Sequence, residues 1–188
     1  MEKMNSFLKV VECIEKIAAE EPKLMIAVIG KSASGKDTVA RRIAEIFAAE
    51  LEVTCATRAK REGETNGKEH IFINNEYFNA LKMDNCFAAL HSYVNDEGHL
   101  VQFGTLRPNF DTNPIHIVVV DEGGAEHLKE DAAKNGYCVK TLKVYADYEK
   151  RKARMLARGG MSLELFEHRE KVNAGIDSYE TDWYLDNN

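Results

Sequence analysis

The chain has 188 residues, 25 basic and 31 acidic, for a formal net charge of −6, which suits one α/β domain with a sizeable core and is short for two. The acidic balance argues against nucleic acid as a partner, and four widely spaced cysteines with no C-x-x-C pair argue against a zinc knuckle or a disulfide framework. No apolar run approaches the roughly 18 residues of a membrane span, and the charged start MEKMNSFLKVVECIEK lacks the apolar core of a signal peptide, so a soluble cytoplasmic protein, away from membranes, is expected.

Phe7, Val10, Val11, Ile14, Ile17 and Ala18 recur at helical spacing, which predicts an amphipathic helix over 5–20 stopped by Glu20-Glu21-Pro22. Residues 24–29 are continuously apolar, as a strand covered on both faces must be. They run into GKSASGKDT at 30–38 and then into a helix pattern that reaches about residue 50. A short strand is expected over 51–57, after which the chain turns polar and Gly-punctuated, marking an antiparallel insertion over 54–105. Within it, strands are expected at 71–73, 86–94 and 99–103, the last two a hairpin through Asn95-Asp96-Glu97-Gly98, with a short helix at 76–82. Pro108 and Pro114 confine the next connection to loop, and 115–120 reads as a second buried strand ending at Asp121-Glu122-Gly123-Gly124. A helix at 125–135 with Gly136 as its C-cap, a strand at 138–145 and a helix at 147–158 stopped by Gly159-Gly160 follow. Ser162 caps a last helix to about residue 179, and 183–185 makes a final short strand. The chain carries no internal repeat and no low-complexity segment.

The stretch at 30–38 matches a phosphate-binding loop, G-x-x-x-x-G-K between a strand and a helix, in which small residues let backbone N–H groups converge on phosphate oxygens. Gly30, Ser32, Ala33, Ser34, Gly35, Lys36, Asp37 and Thr38 are the expected nucleotide contacts, with Lys36 reaching the terminal phosphates as a compact charge. Asp37 stands where such loops carry a Ser or Thr on Mg²⁺. A carboxylate is also a hard oxygen ligand, so Asp37, Thr38 and Asp121 are the expected supports of the metal. Arg58 and Arg61 follow a strand and can grip one phosphate with charge-assisted bonds. Arg154 and Arg158, one helical turn apart, and Arg169 beyond the glycine break can swing over a bound polyphosphate. The six histidines show no metal-ligand spacing and read as structural or surface residues.

Taken in order, the loop at 30–38, TRAKREGETNGKEHIF at 57–72, F-G-T at 103–105, the strand ending at Asp121, and R-x-x-x-R-G at 154–159 resemble guanylate kinase over about residues 24–187. The resemblance implies a P-loop three-layer α/β fold with a mainly parallel sheet, an antiparallel acceptor-binding insertion at 54–105 and a helical lid at 154–170. It implies phosphoryl transfer from Mg·ATP to a nucleoside monophosphate, with GMP foremost, by a monomer or homodimer. Lys36, Arg154, Arg158 and Arg169 would be the catalytic groups, and Thr54, Arg58, Arg61, Glu64, His70, Phe103, Thr105 and Asp121 would form the acceptor site.

The sequence departs from that family at several of these places. His70 and Phe103 stand for phosphate-binding tyrosines, Val119 for an acid two residues before Asp121, and Ala88-Ala89 for the glutamate that reads guanine. Asp96, Glu97 or another acid would have to replace that glutamate, because unpaired guanine N–H donors are costly to bury. Two alternatives stay open on these grounds: a same-fold kinase with another acceptor, such as another monophosphate or ribose 1,5-bisphosphate, and a non-catalytic guanylate-kinase-like binding module. The extra helix at the start is expected to cover the face of the sheet where the family carries a C-terminal helix.

Overall fold

Two sheets organise the chain. The larger has six strands, all paired parallel, in the order β1 (Glu2–Met4), β10 (Trp183–Asp186), β9 (Cys138–Tyr145), β2 (Leu24–Ile29), β8 (Ile115–Val119) and β3 (Glu50–Leu51). The computed structural model describes residues 2–4, 6–61, 63–95, 98–158 and 163–188, without the side chains at 2–4, 158 and 165. The expected hairpin tip at Asp96-Glu97, the stop at Gly159-Gly160, the Ser162 cap and the Arg158 side chain lie outside these described residues.

β2 is central and buried along its whole length. Alternation sorts its side chains. Leu24, Ile26 and Val28 face a cluster with Val10 and Ile14 of α1 (Phe7–Glu20), Val39 and Ile43 of α2 (Lys36–Phe47), and Trp183 and Leu185 of β10. Met25, Ala27 and Ile29 face Ala125 and Leu128 of α4 (Glu122–Asn135) and Ala88 and Ala89 of the second sheet. A strand with helices on both sides must be apolar at every position, which is why 24–29 carries no polar residue. The α1 helix, capped by Ser6, lies beside α2, with the Arg42 guanidinium 4.5 Å over the Phe7 ring. It thus packs on the α2 face of the sheet.

The second sheet runs β5 (Ile71–Phe72), β4 (Cys55–Ala56), β7 (Leu100–Leu106), β6 (Phe87–Val94), with α3 (Asn75–Met83) beside it. Its hairpin is antiparallel, but β4 pairs with β5 in parallel, so the insertion is mixed rather than antiparallel throughout. The single strand expected over 51–57 is divided: β3 joins the main sheet, β4 joins the second, and 52–54 bridge them. A chain serving two sheets has to break its ladder where it crosses between them. The long helix expected from 162 to 179 is also divided, into α6 (Leu163–Val172) and α7 (Gly175–Ser178). At the break Gly175 lies so close to α4 that a Cβ there would stand 2.7 Å from Glu122 Oε1. Tyr148–Arg158 forms α5. Among the described residues, no helix is long and apolar enough to cross a membrane.

The crossing between sheets is anchored by a buried ion pair. His116 of β8, 1% exposed, donates from Nδ1 to Glu52 Oε1 at 2.6 Å and from Nε2 to the Asn113 carbonyl at 2.9 Å. Burial by itself would push the imidazole pKa down, but Glu52 and the carbonyl outweigh it and the net shift is upward. The pair therefore stabilises the fold fully below the ordinary imidazole pKa and loses that contribution as pH rises through the raised value. Glu52→Gln is expected to lower the melting temperature more at about pH 6 than at a pH above the raised value, where the ring is neutral in either state. Equal losses at the two pH values would mean that the ring is uncharged throughout.

Candidate active site

The phosphate loop leaves the C-terminal end of β2, in the middle of the parallel sheet, where such sheets bind ligands. Gly35 is the N-cap of α2 with φ +94°, and it offers no side chain to the first-turn N–H groups. Those donors are thereby left for an anion, reinforced by the helix dipole. Gly30 is required by close approach instead: a Cβ there would stand 2.5 Å from the Val144 carbonyl of β9 and 2.6 Å from Ser34 Oγ. Ser34 Oγ is buried without a hydrogen-bond partner among the described residues. Gly30→Ala is expected to cost about 1–3 kcal/mol by overpacking. Thermal melts with and without ATP should show both a lower midpoint and a smaller shift by the nucleotide.

Two cavities meet at this loop. One, about 600 Å³, lies between Ser32, Ala33, Lys36, Asp37 and Thr38 on one side and Arg58, Arg61, Glu64 and Arg169 on the other. The second, about 280 Å³, lies under the β6/β7 hairpin and is lined by Ala89, His91, Tyr93, Phe103, Thr105 and Asp121. Ser32, Lys36, Thr54, His70 and Val119 line both, so the cationic chamber opens directly into a mainly apolar one.

In the cationic chamber, Arg58 donates from Nη1 and Nη2 to the two Glu64 oxygens, each at 2.6 Å, and the Arg61 backbone N–H donates to Glu64 Oε2 at 2.8 Å. The Arg58 hydrogen bonds hold the Glu64 carboxyl down at about 2. Glu64, expected to touch the acceptor, therefore staples the arginine loop. Arg169 of α6 faces the same chamber, and its pKa is lowered by burial and by the nearby Arg61 and Arg58 charges. Three guanidinium groups drawn together around a cavity make an anion site.

The apolar chamber has aromatic walls. Phe103 stacks on Tyr93 at 6.1 Å and 16° and meets His70 edge-on at 5.4 Å. Thr54 Oγ1 and His70 Nδ1 are hydrogen-bonded at 2.8 Å, and burial and Arg58 push the His70 pKa down. Thr105 is buried in the same wall. Asp121 is the N-cap of α4, accepting from Gly124 N at 2.7 Å and from His91 Nδ1 at 2.9 Å. Burial would raise the Asp121 pKa, but these two donors lower it on balance, and the same bond raises that of His91. His91 was read from sequence as structural or surface. The alternation of Ala89, His91 and Tyr93 on one face of β6 was the signal that placed it in the chamber.

Arg154 meets the phosphate loop through a backbone carbonyl. Its Nη1 and Nη2 donate to the Ser34 and Asn187 carbonyls at 3.3 and 2.8 Å, and Asn187 Nδ2 donates to the same Ser34 carbonyl at 2.8 Å. Arg154 of α5 thus braces the loop through the Ser34 carbonyl.

For Mg²⁺, the described residues contain no group of three or more His, Cys, Asp or Glu side chains able to hold a metal. Asp37 is exposed and 3.6 Å from Lys36 Nζ, and Thr38 borders the cationic chamber. These are hard oxygen donors at the rim, suited to an ion carried in on phosphates rather than to a resident one.

No protein-family model matches the chain. The guanylate kinase of Lactobacillus delbrueckii subsp. bulgaricus is 37% identical over 111 residues, covering 57% of this chain and about half, 53%, of the relative. That of Blochmanniella pennsylvanica is 24% identical over 162 residues, 77% of this chain and 74% of the relative. The crystal structure of guanylate kinase from Anaplasma phagocytophilum superposes with a TM-score of 0.60 at 19% identity, over 88% of this chain and 77% of that one, which shows a shared fold. The chain is thus similar in sequence to guanylate kinases, over about half the length of the first of them, and it shares the fold of one solved guanylate kinase.

Proposed function

We propose that the chain transfers a phosphoryl group from ATP to a nucleoside monophosphate, with GMP as the first acceptor to test. The observation that carries this reading is the joining of the two chambers: a phosphate loop with Lys36 faces three arginines, and a flat aromatic-walled recess opens beside them. A phosphate oxygen of the acceptor attacks the γ-phosphorus, the bond to the β,γ-bridging oxygen breaks, and ADP leaves. No covalent nucleophile on the protein is required, because the barrier is largely alignment and repulsion between two polyanions. Lys36 and Arg169 offset that repulsion, Arg58 and Arg61 place the attacking phosphate, and the N–H groups at the start of α2 hold the donor. Asp37 and Thr38 would hold a Mg²⁺ ion carried in with the donor, and that ion would neutralise the donor phosphates. Asp121, committed to His91 and Gly124, acts on the acceptor side through His91. Residues 154–170, described over 154–158 and 163–170, act as the lid segment.

Among the described residues lining the apolar chamber, Asp121 is the single carboxylate. Guanine N–H donors therefore meet His91, Thr54 and Thr105 in place of an acid on β6. The test is ADP formation from Mg·ATP with GMP, dGMP, AMP, CMP, UMP and ribose 1,5-bisphosphate offered separately. Turnover led by GMP or dGMP supports the reading. Turnover only with another acceptor keeps the chemistry and replaces the substrate, and none with ATP still bound leaves a binding module. His91→Ala is expected to raise the acceptor KM by about 10-fold, the scale of one hydrogen bond, with the ATP KM within about 2-fold.

A further inference from the structure

Glu170, next to Arg169 on α6, faces away from the cationic chamber and toward the phosphate loop. Both of its oxygens accept from Arg151 of α5, Oε1 from Nη1 and Oε2 from Nη2 at 2.7 Å. Lys31 of the phosphate loop reaches Oε2 at 3.6 Å and bonds Asp177 of α7 at 2.6 Å. Arg151 is 4% exposed. Its Nε donates to the Ala146 carbonyl at 2.9 Å and its guanidinium lies 5.7 Å from the Phe166 ring centre. Glu170 is thus the one described carboxylate that engages both Arg151 and the loop through Lys31.

Arg169 needs such an anchor. It is drawn toward Arg58 and Arg61, and before an anionic substrate binds, these like charges repel across the chamber. The attraction of Glu170 for Arg151 and Lys31, one residue on and about 100° around the helix, counters that repulsion. Burial would raise the Glu170 pKa, but Arg151 and Lys31 lower it on balance, so the carboxylate stays charged.

We propose that Glu170 is a positioning residue: clamped between Arg151 and Lys31, it holds α6 on the phosphate loop so that Arg169 stands over the acceptor arginines. The proposal rests on the phosphoryl-transfer reading above. Glu170→Gln keeps the shape and removes the charge. It is expected to lower kcat about 10- to 100-fold, the effect of misplacing a reacting group by about an ångström, with both KM values within about 3-fold.

A role exerted through Arg169 predicts non-additivity. In single-turnover assays of wild type, E170Q, R169A and the double variant, E170Q is expected to lower the rate of the wild type but not that of R169A. The same factor in both backgrounds, or no change in kcat, overturns the proposal. Should E170Q melt below the assay temperature, Glu170→Asp keeps the charge at shorter reach, and its smaller loss is expected to vanish in R169A as well. Hydrogen exchange supplies a readout independent of turnover: amides of 163–172 are expected to exchange faster in E170Q while those of β2 do not change. Unchanged exchange also overturns the clamp. A wild type that turns over no acceptor overturns the functional reading together with this one. A turning-over wild type with additive variants overturns the Glu170 role alone.

Discussion

Lys36→Met is expected to cut turnover about 10³-fold, in the range found when one donor to transition-state charge is removed from a preorganised site. Lys36 lines both chambers, and its described ionic partner is Asp37 at 3.6 Å, an exposed carboxylate. Its charge is thereby available to a phosphate at the junction rather than consumed by the fold. Methionine keeps the stem and removes the charge, so melting should change by no more than about 0.5 kcal/mol, as for surface substitutions away from special features. A coupled ADP-release assay beside a melt separates the two effects. A loss under about 10-fold would remove Lys36 from the transfer step.

Arg61→Ala is expected to raise the acceptor KM about 10- to 100-fold, one charge-assisted hydrogen bond's worth, and to leave the ATP KM within about 2-fold. Arg58 gives both terminal nitrogens to Glu64, whereas the Arg61 bond to Glu64 comes from its backbone, which leaves its guanidinium to the chamber. Glu64→Gln, by contrast, is expected to loosen the whole loop and weaken both arginines together. Steady-state KM values for monophosphate and ATP decide the matter. Equal increases in both would mean that the chamber is not divided into donor and acceptor halves.

Residues with a one-dimensional signature were legible. Apolarity at every position of 24–29 announced a strand covered on both faces, and G-x-x-x-x-G-K after it announced the anion loop, because both depend on neighbours in sequence. The helical spacing of Val10 and Ile14 likewise marked the buried face of α1. The arginine pair at 58 and 61 was recognisable, yet the duty of Glu64 was not, since a carboxylate near an arginine reads equally as ligand or as staple. β1 was missed, a three-residue strand at the sheet edge whose pairing with β10 joins residues at opposite ends of the chain.

By itself the sequence determined the parallel α/β layering and the glycine loop between β2 and α2, because period, turn chemistry and glycine spacing are local properties. Only the tertiary structure decided which charges are committed within the fold and which line a cavity. Arg154 went to the Ser34 carbonyl, Asp121 to His91 and Gly124, Arg151 and Lys31 to Glu170, while Arg61 and Arg169 were turned into one chamber. An ionic side chain finds its partner through space, at separations of up to 146 residues in the Lys31–Asp177 case, and no periodicity along the chain encodes that choice.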